Sequence, residues 1–427
     1  MEEVVFYLSK FYELFLSLWW IWLPFALYFP AKYFWLYASR QIKFYEQIRW
    51  VLLEIIPPEE VPKTPKAMED FFNAIWGLYD PPANVREFWL EGKWLASYSF
   101  EIIGKSGEAH FYIRVPATHK DLVVSNIYAQ YPAAEVKEVS DYVYKFGKEL
   151  PNKEYNLWGC DLDLTKSEIY PLKTYHYWET EGIPEEKRID PLAVLFEFIS
   201  NLKEEEEVWI QMKISPISND EHPYLKEAEK EVNKWMKGGN EKKPGPLEIL
   251  ELEKLPKDAF EILVFGPPSE KPKVAAPQKE LGYLWLPPHI AEKIRQIGEK
   301  IKKYMYECNI RFLYIAPRKI FSPPRGVAGT MGFFSLFSDV NLNALKPGKT
   351  KTKVTPWFFE ERRLFARKRK LFKFFCERRW PWHRSPYILS VTELASIYHL
   401  PGKRVVPAIS VPRIKVKPGA PPPTLPG

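Results

Sequence analysis

Two stretches carry the glycine–lysine–hydroxyl ending of a nucleotide-binding P-loop, Gly104-Lys105-Ser106 and Gly348-Lys349-Thr350. The full motif needs another glycine five positions before its last, so that successive backbone N–H groups wrap the phosphates. Ser99 and Asn343 occupy those positions. The flanks of the first stretch fail as well, because a P-loop joins a strand to a helix. Tyr98, Phe100 and Ile102 alternate with polar residues before it, and Phe111, Ile113 and Val115 alternate after it. Period two on both sides of a glycine-containing segment predicts a hairpin, with residues 104–107 as its turn.

The remaining chemistry-bearing residues are dispersed. His110, His119, His176, His222, His289, His383 and His399 form neither an HExxH nor any paired metal-ligand spacing. No GxSxG elbow occurs. Cys160, Cys308 and Cys376 lie far apart without a CxxC, which fits a reducing compartment and argues against a disulfide scaffold or a zinc site. The run KEEEEVW, residues 203–209, reads as a solvated loop before a strand. The expectation is a non-enzyme without catalytic residues, cofactor or metal.

One basic stretch is more informative. WFFEERRLFARKRKLFKFFCERRW, residues 357–380, spaces Phe358, Phe365 and Phe372 seven apart, with Leu364 and Leu371 beside them. Arg362, Arg363, Arg367, Lys368, Arg369, Lys370 and Lys373 cover the other faces. Three readings fit: a surface helix docked on its own domain, a helix lying on anionic lipid, and a nucleic-acid contact. Residues 346–384 hold 14 Lys and Arg against three Glu, so the net charge of +7 hides an acidic body with a basic C-terminal quarter.

The elements that must position this helix begin at the N-terminus. Residues 14–31 are uncharged and, as a helix, reach close to the ~30 Å hydrocarbon core. Trp19, Trp20 and Trp22 at one end, with Tyr33, Trp35 and Tyr37 at the other, suit the two interfaces, and Lys32 can snorkel. A signal peptide would be shorter with a small-residue cleavage site, and a buried helix would be kinked by Pro24 and Pro30. A single span is favoured. Arg40, Lys43 and Arg49 then place the C-terminal body in the cytoplasm.

Beyond the anchor, strand 49–57, a helix from Thr64 and Pro65, the hairpin, helix 119–130 and strand 134–139 follow a βαββαβ order. In helix 119–130 the spacing turns Leu122, Val123, Ile127 and Tyr128 inward. A second series comprises strand 155–164, a helix from Asp190, strand 207–214, amphipathic helix 223–237, a helix marked by Ile290, Ile294, Ile297 and Ile301, and strand 310–316. Two Pro/Gly-rich stretches, 238–246 and 266–277, read as linkers. The expected class is α+β: an N-terminal transmembrane helix, two ferredoxin-like units, the second with a long insertion, and a basic C-terminal helix. The boundaries are 1–47 anchor, 48–150 first unit, 151–345 second unit with its insertion at about 217–286, 346–402 basic helix and closing strand-helix, and 403–427 Pro-rich tail.

Several segments together resemble a known bacterial family. They are LLEI (52–55), TPKAMEDFFNAI (64–75), SFEIIGKSGEAHFYIRVP (99–116), IYAQYPAAEVKEV (127–139), DPLAVLFEFISNLKEEEEVWIQMKISP (190–216), IRFLYIAP (310–317), TELASIYHLPG (392–402) and APPPTLPG (420–427). The family is a membrane-anchored domain of unknown function from candidate-phyla (Patescibacteria-type) lineages, similar to the N-terminal region of type IV secretion and conjugation coupling-type ATPases. It brings no established catalytic residues. In longer relatives the Pro-rich ending leads into a DNA-translocating ATPase domain, so a chain ending at Gly427 implies a separate ATPase. The resemblance implies a non-enzymatic, single-span scaffold or adaptor of a DNA-transfer apparatus at the cytoplasmic membrane. Its expected partners are that ATPase, the membrane and DNA, with a homo-oligomer left open. The alternative is a membrane-associated protein that binds nucleic acid through residues 357–380.

Overall fold

The computed structural model describes residues 10, 12, 13, 15–58, 65–147, 149–179, 190–236, 287–356 and 358–402. The first half contains α1 (Trp19–Ala38), β1 (Trp50–Ile56), α2 (Pro65–Trp76), β2 (Tyr98–Lys105), β3 (Glu108–Pro116), α3 (Lys120–Gln130) and β4 (Glu135–Val139). The second contains β5 (Tyr155–Leu164), α4 (Leu192–Ser200), β6 (Glu207–Ile217), α5 (Tyr224–Met236), α6 (Pro288–Ile301), β7 (Met305–Pro317), α7 (Pro323–Ser335) and β8 (Leu345–Pro347). The chain then forms α8 (Glu360–Cys376), β9 (Tyr387–Ser390) and α9 (Val391–Ile397). Both expected Pro/Gly-rich linkers and the 403–427 tail lie outside the described residues.

Among the described residues, all nine strands join one antiparallel sheet in the order β4-β1-β3-β2-β6-β7-β5-β8, with β9 also on β7. This corrects the expectation of two ferredoxin-like units. β2 pairs with β6 along its whole length, from Tyr98 opposite Ile214 to Lys105 opposite Glu207. Each of these strands would otherwise be an exposed edge carrying buried apolar side chains, such as Phe100 and Ile102 or Ile210 and Met212. Pairing them hides both edges and fuses the two halves. The closing elements reinforce the fusion. β9 shares one edge of β7 with β5, and the Tyr398 ring packs at 5.2 Å from Phe100 and 5.7 Å from Phe111.

One face of the sheet carries the main core. On α2 the buried residues Ala67, Met68, Phe71, Phe72 and Ile75 recur at helical spacing. On α3, Val123 and Ile127 are buried, but Leu122 is exposed. The start of α9 carries a capping box, Ser390 with Glu393. A tight approach of α4 explains the first glycine of the P-loop-like stretch: a Cβ on Gly104 would meet Ile199 Cγ1 at 2.7 Å. Ser106 and Gly107, with φ of 51° and 80°, then turn the β2–β3 hairpin.

The single-span expectation is also corrected. No described helix is long and apolar enough to cross a membrane, and the inferred location at the cytoplasmic membrane loses its basis. In α1 the Trp and Tyr residues that read as interfacial anchors, together with Pro24, Pro30 and Lys32, dilute the aliphatic content that a span requires. The helix is instead tethered at its C-terminal end to the body. Trp35 Nε1 donates to the Trp89 carbonyl at 2.7 Å, and the Arg40 guanidinium lies 3.7 Å from the Trp94 ring centroid.

Candidate nucleic-acid interface

The second sheet face positions the basic helix. Along its strands, polar residues alternate with apolar ones: Ser99 and Glu101 on β2, Gln211 and Lys213 on β6, Asn309 and Arg311 on β7, Asp161 and Asp163 on β5. Register aligns Glu101, Gln211, Arg311 and Asp161 in one row across the sheet. Such alternation normally marks a solvated face. Here α8 and the residues after it cover the row, and Glu101, Asp161, Gln211, Lys213 and Arg311 are all buried.

The cover is held by reciprocal needs. A helix leaves its last carbonyls without intrahelical donors, and cations near that end are favoured by the dipole. Arg311 donates to the Phe374 carbonyl at 2.6 Å, Gln211 to the Phe375 carbonyl at 3.1 Å, and Lys213 to the Arg378 carbonyl at 2.6 Å. Arg378 reaches back, donating to both Glu101 oxygens at 3.0 and 3.1 Å and to Asp141 at 2.5 and 2.9 Å. Burial alone would raise the Glu101 carboxyl. The Arg378 guanidinium, with hydrogen bonds from Ser99 and Tyr142, holds it below the ordinary range. Likewise burial opposes Asp161, but Arg311, Asn309 and Thr350 keep its carboxyl low. Lys213 is pushed well down, first by burial and then by Arg311 and Arg114. Apolar packing completes the seat, with Leu371, Phe372 and Phe375 against Trp209, Leu157, Leu313 and Ile315.

The other P-loop-like stretch serves the same edge. Gly348 sits against the Asp163 carboxylate, where a Cβ would come within 2.7 Å. The Thr350 and Thr352 hydroxyls accept from the Asp161 and Gly159 amides at 2.7 and 3.0 Å. These contacts give both hydroxyl residues a role along β5.

The seven basic residues that the sequence groups together are divided by this docking. Lys368 points inward, donating to Asn156 Oδ1 at 2.8 Å, with its amine 5.3 Å from the Phe321 centroid. Arg367 donates to the Lys351 and Lys353 carbonyls at 3.3 and 2.8 Å, and Arg369 pairs with Glu149. Arg362, Arg363, Lys370 and Lys373 are exposed. Lys370 lies 4.5 Å from the Trp382 centroid, and Lys373 is 4.0 Å from Glu377. The phenylalanine repeat divides too. Phe372 is buried, whereas Phe358 and Phe365 remain 77% and 43% exposed. The outer surface of this segment therefore interleaves cations with aromatic rings.

Sequence reasoning missed Glu101, Asp161, Lys213, Arg311 and Arg378. Their signal was the polar alternation on four strands, which reads as solvent exposure until the covering segment is known. Among the described residues, no group of three or more His, Cys, Asp or Glu is placed to hold a metal ion. Burial raises all three thiols, which is the state of an unreactive cysteine. No known family profile matches the chain, and no curated protein matches it significantly.

Proposed function

We propose that this protein is a non-enzymatic adaptor that contacts nucleic acid through the outer face of α8, as part of a DNA-transfer assembly. The observation that carries the reading is the exposed array of Arg362, Arg363, Lys370 and Lys373 beside Phe358 and Phe365, on a helix fixed by a buried ionic network. Cations neutralise phosphates and release counterions, while aromatic faces stack on bases, so this combination supports nucleic-acid contact. The resemblance of the quoted segments to coupling-type ATPase N-terminal regions supports the setting. Fluorescence anisotropy against salt tests it. Changing the four exposed cations to Gln should lower the magnitude of the log–log salt slope by up to about 0.9 per phosphate contact on duplex DNA. Binding that is absent in the wild type, or a slope that the variant leaves unchanged, refutes the proposal.

The adaptor role has its own support in α1. Trp19, Trp20, Tyr28, Phe29, Tyr33, Phe34 and Tyr37 are all exposed, forming a large apolar surface on a helix attached at one end. In this reading that surface docks the DNA-translocating ATPase that the resemblance implies. Co-expression with a type IV secretion ATPase, with Phe29 and Phe34 changed to Ser, should show loss of co-purification. Retention of the ATPase by that variant would move the contact elsewhere.

A further inference from the structure

A cleft of about 550 Å³ lies where the N-terminal half of α8 passes the end of β7. It is lined by Asn156, Arg318, Glu361, Arg362, Phe365 and Lys368, with Pro151 and Leu364 completing the wall. Its volume falls in the ~300–1,000 Å³ range of small-ligand clefts. Three cations converge on it, and among the described residues the partners they hold are neutral. Lys368, only 8% exposed, donates to the Asn156 amide oxygen. Arg318 Nε donates to the Asn152 carbonyl at 2.9 Å, and the Arg362 guanidinium lies 5.6 Å from the Phe359 centroid. Glu361 is the carboxylate among the lining residues, so the cleft carries a net positive charge.

We infer that this cleft is a nucleotide subsite, holding one phosphodiester of a single-stranded nucleic acid against Lys368, Arg318 and Arg362, with the adjoining base on the Phe365 ring. The inference rests on the nucleic-acid reading of α8 and adds the strand type and the residues that select it. A buried amine without a counter-ion is costly, and an incoming phosphate supplies both the charge and the acceptors. The recess decides the strand type. A phosphate on a stiff duplex meets cations at the surface, whereas a flexible single strand can turn one phosphate inward to an amine this deeply set. Phe365 is 43% exposed at the mouth, and with Arg369 5.3 Å from its centroid it still offers a ring face for stacking. Burial first, and Arg318 second, lower the Lys368 amine to about 8. The other charged groups facing it across the cleft are Arg362 and Glu361.

The test measures anisotropy of a fluorescent oligothymidylate and of a duplex of similar length on the full chain. Lys368→Met and Arg318→Gln should each weaken the single strand about tenfold or more, as expected for losing a charge-assisted hydrogen bond, and leave the duplex nearly unchanged. Between about pH 7 and pH 9 the wild type should lose single-strand affinity as Lys368 deprotonates, and Lys368→Met should lose this dependence. Arg318 is exposed, so Arg318→Gln keeps the test decisive if Lys368→Met does not fold. If both variants bind the single strand as the wild type does, while the Gln variant of the outer cations fails to bind, the subsite is wrong and the outer-face reading stands. If the wild type binds neither nucleic acid, the outer-face reading falls and the subsite falls with it.

Discussion

Arg378→Gln offers the sharpest test of how α8 is held. The Arg378 side chain is 2% exposed and the Glu101 side chain 0%, and the two share a bidentate contact. Removing one member of a buried pair leaves an uncompensated charge and typically costs ~3–5 kcal/mol. Asp141, 20% exposed, can regain water when its guanidinium partner is lost, so most of the cost should come from Glu101. Gln suits the purpose better than Gly. Arg378 has φ of 49°, and Gly would relieve that backbone strain and mask part of the loss. We expect a loss of ~3–5 kcal/mol in urea unfolding near pH 7, a large fraction of a ~5–15 kcal/mol total.

The pH dependence adds a second signature. In the wild type the Glu101 carboxyl is depressed, so its contribution is present above its unfolded pKa and is lost as pH falls through the lower folded value. In the variant, burial without Arg378 should raise that carboxyl, so acid should protonate it and shrink the deficit. Combining Glu101→Gln with Arg378→Gln should recover much of the loss, because no buried charge is then stranded. A cost below ~1 kcal/mol for Arg378→Gln, with no acid recovery, would show that the segment after α8 is not clamped to the sheet.

Two further outcomes test other parts of the fold. The buried His399 imidazole would be lowered by burial, but Asp190, 3.1 Å from its Nε2, and the Ala395 carbonyl raise it overall. Its contribution is therefore full below the unfolded value of ~6.5 and fades as pH rises through the higher folded pKa, so His399→Gln should cost more near pH 6 than near pH 9 in thermal melts. Within the first P-loop-like stretch, Lys105→Ala should stay within ~0.5 kcal/mol and reveal no ATP dependence, whereas Gly104→Ala should cost ~1–3 kcal/mol by crowding Ile199. Equal effects would contradict the close approach of α4, and ATP binding abolished by Lys105→Ala would contradict the hairpin.

The sequence by itself determined the local elements. Period-two alternation gave β2 and β3, the runs 155–164 and 207–214 gave β5 and β6 close to their observed bounds, and helical spacing gave α2, α3 and α6. It also predicted the hairpin, although the turn is confined to Ser106 and Gly107, whose positive φ needs only local chemistry, while Gly104 and Lys105 end β2. α7 and the three-residue β8 were not read: α7 opens with Pro-Pro-Arg-Gly and contains three glycines, which weaken any helical signal. What the tertiary structure decided were relations between elements. Whether two βαββαβ series stand apart or share a sheet depends on β2 meeting β6, and no periodicity encodes which edges meet. The aromatic start read as a span because its length suited a bilayer, while no described helix is apolar enough to cross one, and its C-terminal end is attached at Trp89 and Trp94. The same limit applies to the interface. The seven basic residues were legible as a group, but only the docking of α8 separates inward Lys368 from outward Arg362, Arg363, Lys370 and Lys373. Charge on a sheet face looks the same in sequence whether water or a covering segment satisfies it, and here Arg311 and Gln211 take carbonyls at the end of α8 and Lys213 takes the Arg378 carbonyl just after it.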